Sequence, residues 1–371
     1  MKAKLLLLSG GSQVAQYVLT ALEGRRDLLQ LVATSSIADE PGLWRFDKVC
    51  LAPVTAKEPA AFRGRLLEID VRERPDLIVP CRDDDVVALA ELAEARPDIA
   101  PRALCGSAAI ARMICDKWQA ALFCRQHGLP YARSMIAGSE ASPEQFAREV
   151  GYPLVIKPRD GFSSRGIFLI ENDEQLRRAL ERPNYVVQEY LDSPESYWAL
   201  KRAIDTDGLP LFHTLHGLKH SIELMIATSG EVTRVFATYN AHAFRVSRIR
   251  PNDDAETLAL GRRCGEVFAA AGWRGPLNIQ CQRDRHGRVT IHEFNGRFSA
   301  ATAARAMLGY DEVAHGVELF TGIRLPPTEW QARPAARVVS QLVARASHPA
   351  DVERLQTHGE WSAYDNAGMA R

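Results

Sequence analysis

The stretch Ile291-His-Glu-Phe-Asn-Gly-Arg297 decides how this sequence can fold, because it has the pattern of one arm of a β-hairpin. The other arm is Leu277-Asn-Ile-Gln-Cys-Gln282, and the polar segment Asp284–Arg288 joins the two. Apolar and polar residues alternate along both arms with a period of two, so each arm has two chemically different faces. We therefore expect a pair of antiparallel strands here.

Polar side chains share one face of each arm. They are Asn278, Gln280 and Gln282 on the first arm and Glu293 and Asn295 on the second, with Val289 and Ile291 further back on that face. If the two faces coincide, a carboxylate and two amide oxygens converge, and such hard oxygen ligands suit Mg²⁺ bound to nucleotide phosphates. Alternation alone favours a merely solvated outer face. Arg297 follows directly, however, and a planar guanidinium suits bidentate contact with a phosphoryl or carboxylate oxygen.

A lysine among apolar residues marks a second candidate site. Lys157 lies in the predicted strand Leu154–Pro158, where an ammonium group is costly unless it meets a partner. Asp160-Gly-Phe-Ser-Ser-Arg-Gly166 follows at once, and its N–H groups and serine hydroxyls can cradle phosphate oxygens. It is not a P-loop, because no Gly-Lys-Ser/Thr ends it. The alternative is a lysine at a strand end that reaches to water.

Size and composition limit the class of protein. The chain has 371 residues, 46% apolar and 25% charged, which suits two or three packed substructures. Lys plus Arg number 46 and so do Asp plus Glu, so the basic excess of a nucleic-acid binder is absent. No apolar run approaches the roughly 20 residues of a membrane span. Seven cysteines without metal or disulfide spacing indicate reduced thiols, and we expect a cytoplasmic protein.

The first hundred residues predict a parallel sheet, since apolar runs at 4–8, 28–34 and 77–80 alternate with helical patterns. Ser9-Gly-Gly-Ser12 lacks the third glycine of a dinucleotide fingerprint, and no acidic residue ends the second strand. A nicotinamide-dependent enzyme is therefore not expected. Asp83, after the third predicted strand, would either face a substrate cleft or simply offset a helix dipole.

Three segments together resemble a known family. Gly275–Gln280, Glu293–Arg297 and Ala306-Met-Leu-Gly-Tyr310 are similar to the C-terminal half of the ATP-grasp fold, most of all in the carbamoyl-phosphate synthetase large-subunit-like branch. The resemblance implies an α/β and α+β chain whose ATP-grasp fold follows an N-terminal, Rossmann-like pre-ATP-grasp domain with a parallel sheet. The implied limits are 1–105 for the pre-ATP-grasp domain, 106–190 for the N-terminal ATP-grasp subdomain with its lid, 191–328 for the C-terminal subdomain with the metal site, and 329–371 for a C-terminal extension.

The resemblance also implies roles for single residues. Gln280 and Glu293 would hold one Mg²⁺, and Glu293 and Asn295 a second, with Mn²⁺ as a substitute. Arg297, Lys157 and Arg245 form the implied catalytic set, in which Arg297 steadies an acyl phosphate. The implied ATP contacts, from the phosphates through the lid and the adenine hinge to the ribose, are Lys117, Lys157, Ser163, Ser164, Arg165, Gly166, Gln188, Glu189, Tyr190, Leu191 and Glu195.

Some of these residues have plainer interpretations. Lys117 alone would be an ordinary surface lysine, and Tyr185–Leu191 a buried strand with a polar end. Arg245 belongs to a group with Arg248 and Arg250 that equally fits a solvated edge strand.

Two departures from the family pattern bear on the substrate. Ala300 stands where the synthetase has a further arginine, which counts against carbamate chemistry. Glu195 is the candidate for ribose, yet the strand similar to the next family strand begins only at Ser221. The additional residues 192–219 predict either a substrate lid or, more simply, an extra hairpin without a catalytic role.

The implied activity is ATP-dependent ligation. A substrate carboxylate attacks the γ-phosphate of ATP to give an acyl phosphate and ADP, and an amine then displaces phosphate. We expect ATP and Mg²⁺ as cofactors and small-molecule carboxylates and amines as partners, without nucleic acid or membrane and with a homodimer as the expected assembly, if any. Two alternatives stay open, namely phosphorylation of a small acid such as carbamate or bicarbonate, and nucleotide binding without catalysis. Retention of Glu293 and Asn295 counts against the second.

Overall fold

The amino-terminal part of the chain folds as a parallel sheet, as its alternating strand and helix patterns predict. The computed structural model describes residues 2–40, 42–139, 142–160, 166–191, 194–207, 218–243, 246–340 and 343–366. Its first elements are β1 (Ala3–Leu7), α1 (Gln13–Ala21), β2 (Leu29–Ser35), β3 (Lys48–Leu51), α2 (Pro59–Glu73), β4 (Leu77–Val79) and α3 (Asp83–Ala95). These strands pair in parallel in the order β3-β2-β1-β4, and helices cover both faces, so β1 is buried throughout its apolar run.

Two helices follow where the sequence pattern predicts one from Ser107 to about His127. They are α4 (Ala108–Cys115) and α5 (Lys117–Gln126), and the break lies at Asp116. The Asp116 carboxylate accepts the backbone N–H groups of Trp118 at 2.9 Å and Gln119 at 3.1 Å, so it caps the second helix. The prediction of one continuous helix is therefore wrong.

A small antiparallel sheet comes next, with two different faces. Its elements are β5 (Ser134–Met135), α6 (Pro143–Val150), β6 (Leu154–Pro158), β7 (Phe168–Ile170), α7 (Asp173–Leu180) and β8 (Tyr185–Glu189), in the strand order β5-β8-β6-β7. Leu154, Ile156 and Val187 pack with α6 and α7 into a core. Because side chains alternate along a strand, Lys157 and Gln188 occupy the other face.

The segment after the hinge contains a helix, α8 (Pro194–Asp207), rather than the predicted hairpin. Tyr197 is buried, its hydroxyl donates to the carboxylate of Glu171, and its ring lies 6.2 Å from that of Tyr190. The described part of this segment is thus attached to the small sheet. Its remaining residues, including 208–217, lie outside the described part of the chain.

A six-stranded sheet carries the quoted hairpin. Its elements are β9 (Leu218–Ile226), β10 (Val232–Ala243), β11 (Val246–Pro251), α9 (Ala255–Ala270), β12 (Gly275–Arg283) and β13 (Val289–Asn295), followed by α10 (Thr302–Met307) and α11 (Glu312–Thr321). Helix α9 lies so close that a Cβ at Gly261 would be 2.7 Å from the side chains of Ile222 and Val235. Only glycine permits this approach.

The carboxyl-terminal part divides between two sheets. It contains α12 (Glu329–Ala332), β14 (Val338–Ser340), α13 (Pro349–His358) and β15 (Glu360–Ser362). Strand β14 pairs with β11 and completes the order β13-β12-β9-β10-β11-β14, whereas β15 pairs antiparallel with β3. Among the helices of the described ranges, none combines the length and apolar character needed to cross a membrane.

Candidate active site

The residues proposed as metal ligands meet on one face of β12 and β13. Gln280 lies directly opposite Glu293, and Asn278 lies opposite Asn295 in the next row. Directly opposed residues of antiparallel strands point to the same side of the sheet. The structure therefore brings the single carboxylate and the amide groups together, as the period of two predicts.

A bulge at His292 separates this polar face from the rest of β13. The pairing shifts after Gln280, so that Cys281 pairs with Ile291 and His292 is the extra residue on its strand. Ile291 and Val289 consequently lie in the hydrophobic core. The expectation that they share a face with Glu293 is wrong, because an inserted residue reverses the alternation beyond it.

Lys157 reaches this bulge from the small sheet. Its Nζ donates to the carbonyl oxygen of His292 at 3.0 Å, and the Tyr131 hydroxyl donates to the same oxygen at 3.1 Å. Lys157 is only 5% exposed, and burial lowers its pKa to about 7, with Lys117 and Lys219 contributing in the same direction and Glu293 opposing. Its acceptor is a neutral carbonyl, so its charge is poorly compensated in this structure.

Lys117 brings a second cation to the same place. It begins helix α5, and its backbone N–H donates to the carbonyl of Arg159 at 3.0 Å, which ties the helix start to the end of β6. The side chain is buried, and its Nζ lies 3.8 Å from Oε1 of Glu293. Lys219 on β9 adds a third charge close enough to lower the pKa of Lys157. Sequence reasoning missed Lys219, because it lay in the segment interpreted as an insertion.

Arg297 connects the hairpin with the amino-terminal sheet. Its Nε lies 2.8 Å from Oδ1 of Asp83, and its Nη2 donates to Oδ2 of Asp83 at 3.0 Å. The same Nη2 donates to Oδ1 of Asn295 at 3.0 Å. Asp83 begins helix α3, as the helix-start alternative has it, and its contact with Arg297 places it beside the hairpin. That it faces a substrate cleft stays a prediction.

The predicted adenine hinge divides between the two faces of the small sheet. Gln188 is buried on the face opposite that sheet's core, and its Nε2 donates to Oγ of Ser134 at 2.9 Å. Glu189 points to the other side, where its carboxylate accepts the backbone N–H of Arg133 at 3.0 Å. Tyr190 follows directly and contacts α8 through its ring.

The remaining residues predicted to contact ATP have fewer described contacts. Leu191 is buried, and Glu195 is exposed in the first turn of α8. Gly166 has φ +72, and a Cβ there would lie 2.8 Å from the Tyr185 hydroxyl, so glycine is required. Four predicted residues lie outside the described residues, namely Ser163, Ser164, Arg165 and Arg245.

A buried ion cluster adjoins the site and was not predicted from the sequence. Nη2 of Arg305 donates to Oε2 of Glu223 at 2.7 Å and to Oε1 of Glu312 at 3.0 Å, and its Nε donates to the other oxygen of Glu312. All three side chains have 0% exposure. The available signal was an acid inside the apolar run 222–226, which requires a buried partner but does not identify it.

Comparison with known proteins gives matches over much of the chain. A family profile described as an ATP-grasp domain matches residues 114–200. The carbamoyl phosphate synthase large chain, N-terminal section, of Methanopyrus kandleri is 24% identical over 226 residues, which are 58% of this chain and 37% of that protein. The D-alanine–D-alanine ligase of Halorhodospira halophila is 27% identical over 210 residues, 53% of this chain and 64% of the ligase. The chain thus spans between about one third and two thirds of the length of these relatives.

A solved structure extends the likeness to nearly the whole chain. The biotin carboxylase domain of the Hydrogenobacter thermophilus 2-oxoglutarate carboxylase superposes with a TM-score of 0.61 at 15% identity, over 88% of this chain and 71% of that one. That structure is a dimer in complex with MgADP, ADP and bicarbonate.

Proposed function

We propose, from the ATP-grasp fold that this chain has, that the protein is an ATP-dependent carboxylate–amine ligase. A small-molecule carboxylate would be activated as an acyl phosphate and joined to an amine, with ADP and phosphate as the other products. The named relatives include a D-alanine–D-alanine ligase, which supports this class of reaction.

The observation that carries the proposal is the surplus of buried positive charge beside one carboxylate. Lys117 lies 3.8 Å from Glu293, and Glu293 and Lys219 are both close enough to shift the pKa of Lys157. Among the contacts of the described residues, Lys157 hydrogen-bonds only to a neutral carbonyl. Burying cations without full compensation is costly unless an anion binds there. A polyphosphate is such an anion, so the arrangement fits the phosphates of ATP.

The oxygen groups beside these lysines fit Mg²⁺ bound together with a nucleotide. Gln280, Glu293 and Asn295 present one charged and two neutral oxygens on a single face, which is a weakly charged set for a divalent cation. Phosphate oxygens would complete such a site, and Mg²⁺ would supply charge neutralisation at the transferring phosphoryl group. Binding of two ions, and replacement by Mn²⁺, stay predictions.

Gln188 is a better candidate than Glu189 for the adenine pocket. It shares the sheet face of Lys157, whereas the Glu189 side chain lies on the opposite face and already accepts a backbone N–H. We place the base near Gln188, with the backbone at Tyr190 and Leu191 beside it. Predicted ATP contacts that stay predictions are the lid serines, Arg165, Gly166 and Glu195. The domain limits, the homodimer and the cytoplasmic location stay predictions as well.

The reaction has two balanced steps in this proposal. A carboxylate oxygen attacks the γ-phosphorus, and the bond to the β-phosphate oxygen breaks, which releases ADP and leaves an acyl phosphate. The amine nitrogen then attacks the acyl carbon, phosphate leaves, and the nitrogen loses a proton. Arg297 would hold the acyl phosphate bidentately, and Asp83 would hold Arg297 in place. These residues position reactants and stabilise charge, so no protein nucleophile is required.

Release of ADP tests the proposal. The purified chain is incubated with ATP, Mg²⁺ and pools of carboxylates, with and without pooled amines, and hydroxylamine is added to trap acyl phosphates as hydroxamates. We expect ADP and hydroxamate to form only with a competent carboxylate pool. Tight ATP binding without ADP release in any pool would favour nucleotide binding without catalysis, and ADP release with bicarbonate alone would favour phosphorylation of a small acid.

A further inference from the structure

A row of three polar side chains crosses the large sheet beside the proposed metal ligands. Glu223 on β9, Asn278 on β12 and Asn295 on β13 are directly opposite one another in the strand pairing. Asn278 donates from Nδ2 to Oε2 of Glu223 at 3.0 Å, and Asn295 donates from Nδ2 to Oδ1 of Asn278 at 3.4 Å. All three side chains are buried. The row therefore forms a continuous hydrogen-bonded path from the ion cluster to the site.

In the first member of the row, one carboxylate oxygen acts as the acceptor. Oε2 of Glu223 receives Nη2 of Arg305 as well as the amide of Asn278, so two donors already face this one oxygen. The Asn278 amide also lies 3.4 Å from the carbonyl oxygen of Ile222, which is another acceptor. An asparagine side chain has one donating end and one accepting end. Asn278 must therefore turn its NH₂ toward Glu223 and its oxygen toward Asn295.

The same reasoning fixes the orientation of the next amide, that of Asn295. Because Asn278 offers an oxygen, Asn295 must present its NH₂ to it, and its own oxygen then points to the opposite side, where Arg297 donates to it at 3.0 Å. Only the oxygen end of an amide is a ligand for Mg²⁺. A reversed Asn295 would direct its NH₂ group to the side on which the metal is proposed to bind.

We propose that Glu223 and Asn278 are positioning residues that fix the orientation of the Asn295 amide, so that its oxygen faces the metal. This role rests on the proposed function, because it assumes that Asn295 is a metal ligand. Supporting groups of this kind typically change metal affinity by about 10–100-fold.

The ion cluster explains why the path is rigid. Arg305 is shared by Glu223 and Glu312, and all three are fully enclosed. Burial raises the pKa of Glu223 well above its ordinary value, and the neighbouring Glu312 adds to the increase. Removing any member of this cluster would disturb folding, so the test has to be made at Asn278.

Mg²⁺ affinity of the ADP-bound protein is the direct readout. Calorimetric titration of Mg²⁺ into protein saturated with ADP compares wild type with Asn278→Ala, and we expect the variant to bind Mg²⁺ about 10–100-fold more weakly. Asn252→Ala is the matched control, because Asn252 is an equally buried asparagine in contact with His220, away from the row. We expect that control to bind Mg²⁺ as wild type does. Asn278→Leu replaces the alanine variant if circular dichroism shows that the latter does not fold.

A second background separates positioning from a general structural effect. Asn295→Asp offers two equivalent oxygens, so orientation no longer matters, and adding Asn278→Ala should then cost little further Mg²⁺ affinity. An equal loss in both backgrounds, or no loss in either, overturns the positioning role while leaving the proposed function standing. A wild-type protein that binds no Mg²⁺ with ADP overturns both.

Discussion

Glu223 and Glu293 occupy neighbouring rows of the large sheet, and the two groups of charges around them differ in how their cations are paired. In the closed cluster, Arg305 is enclosed by Glu223 and Glu312 with no exposure to solvent. In the open cluster, defined here as Lys117, Lys157 and Glu293, one lysine lies 3.8 Å from the carboxylate and the other donates to a carbonyl. The closed cluster sets its cation against two carboxylates, whereas in the open cluster the described acceptor of Lys157 is a neutral carbonyl, so the charge of Lys157 can serve a ligand.

The difference separates stability from binding. A buried cation that is fully paired holds the structure together, and its removal leaves uncompensated carboxylates. A buried cation that is incompletely paired costs stability, and this cost is tolerated where an anion has to be bound. Substitutions in the two clusters should therefore have opposite consequences for folding and for nucleotide affinity.

The largest effect is expected in the closed cluster. Arg305→Met should lower the free energy of unfolding by about 3–5 kcal/mol, because two buried carboxylates lose their shared cation. Urea denaturation followed by circular dichroism measures this. Arg283→Met is the control, since Arg283 is 40% exposed in its ion pairs with Asp254 and Glu256 and should cost at most about 1 kcal/mol. Equal losses for both variants would remove the distinction between a closed cluster and a surface pair.

The open cluster should give the reverse result. Lys157→Met removes a buried ammonium, so affinity for ADP should fall by about 10–100-fold. This factor corresponds to a charged hydrogen bond of about 1.5–3 kcal/mol. The free energy of unfolding at pH 7 should not fall. Calorimetry and urea denaturation measure the two quantities. Lys57→Met, at an exposed lysine, should change neither. Unfolding of the Lys157 variant at lower urea than wild type would contradict the assignment of Lys157 to binding.

The pKa of Lys157 adds a dependence on pH. Burial lowers this pKa to about 7, whereas the unfolded chain keeps the ordinary value of 10.5. Between these values the unfolded state binds more protons, so the stability of wild type must rise with pH relative to Lys157→Met. Denaturation of both proteins at pH 7 and pH 9 measures the difference. A constant difference would mean that the folded lysine keeps its proton.

The smallest effect is expected at the edge of the site. Gln188→Leu should weaken ADP binding about fivefold, equivalent to one neutral hydrogen bond of about 1 kcal/mol. Glu189→Leu is its neighbour on the opposite sheet face and should leave ADP affinity unchanged. Calorimetric titration with ADP decides between them, and a larger loss at Glu189 would place the base on the other side of the hinge.

Much of the fold and of the site follows from local pattern. The period of two predicted the hairpin and the shared face of Gln280 and Glu293, because alternation is a property of each strand alone. The ATP-grasp fold implied by the resemblance is confirmed by the family match and by the solved structure. The roles of the individual site residues stay predictions.

What the sequence did not reveal depends on contacts between distant segments. The bulge at His292 accompanies backbone pairing of Ile291 with Pro130, and the break at Asp116 accompanies an ion pair with Arg159. The partner of Glu223 is Arg305, 82 residues away. The sequence indicated that a buried partner was needed but did not identify it. In each case the local pattern was compatible with a simpler arrangement, and tertiary packing decided against it.

Glu293 is the residue at which the central claim is most directly tested. Magnesium-dependent ADP formation is measured for wild type and Glu293→Gln with a competent carboxylate and amine, alongside thermal unfolding and ADP affinity without metal. Loss of the single carboxylate should lower ADP formation at least about 100-fold with little change in the unfolding temperature, because the proposed function assigns its charge to the metal and not to the core. A folded Glu293→Gln protein that forms ADP at the wild-type rate would contradict the account.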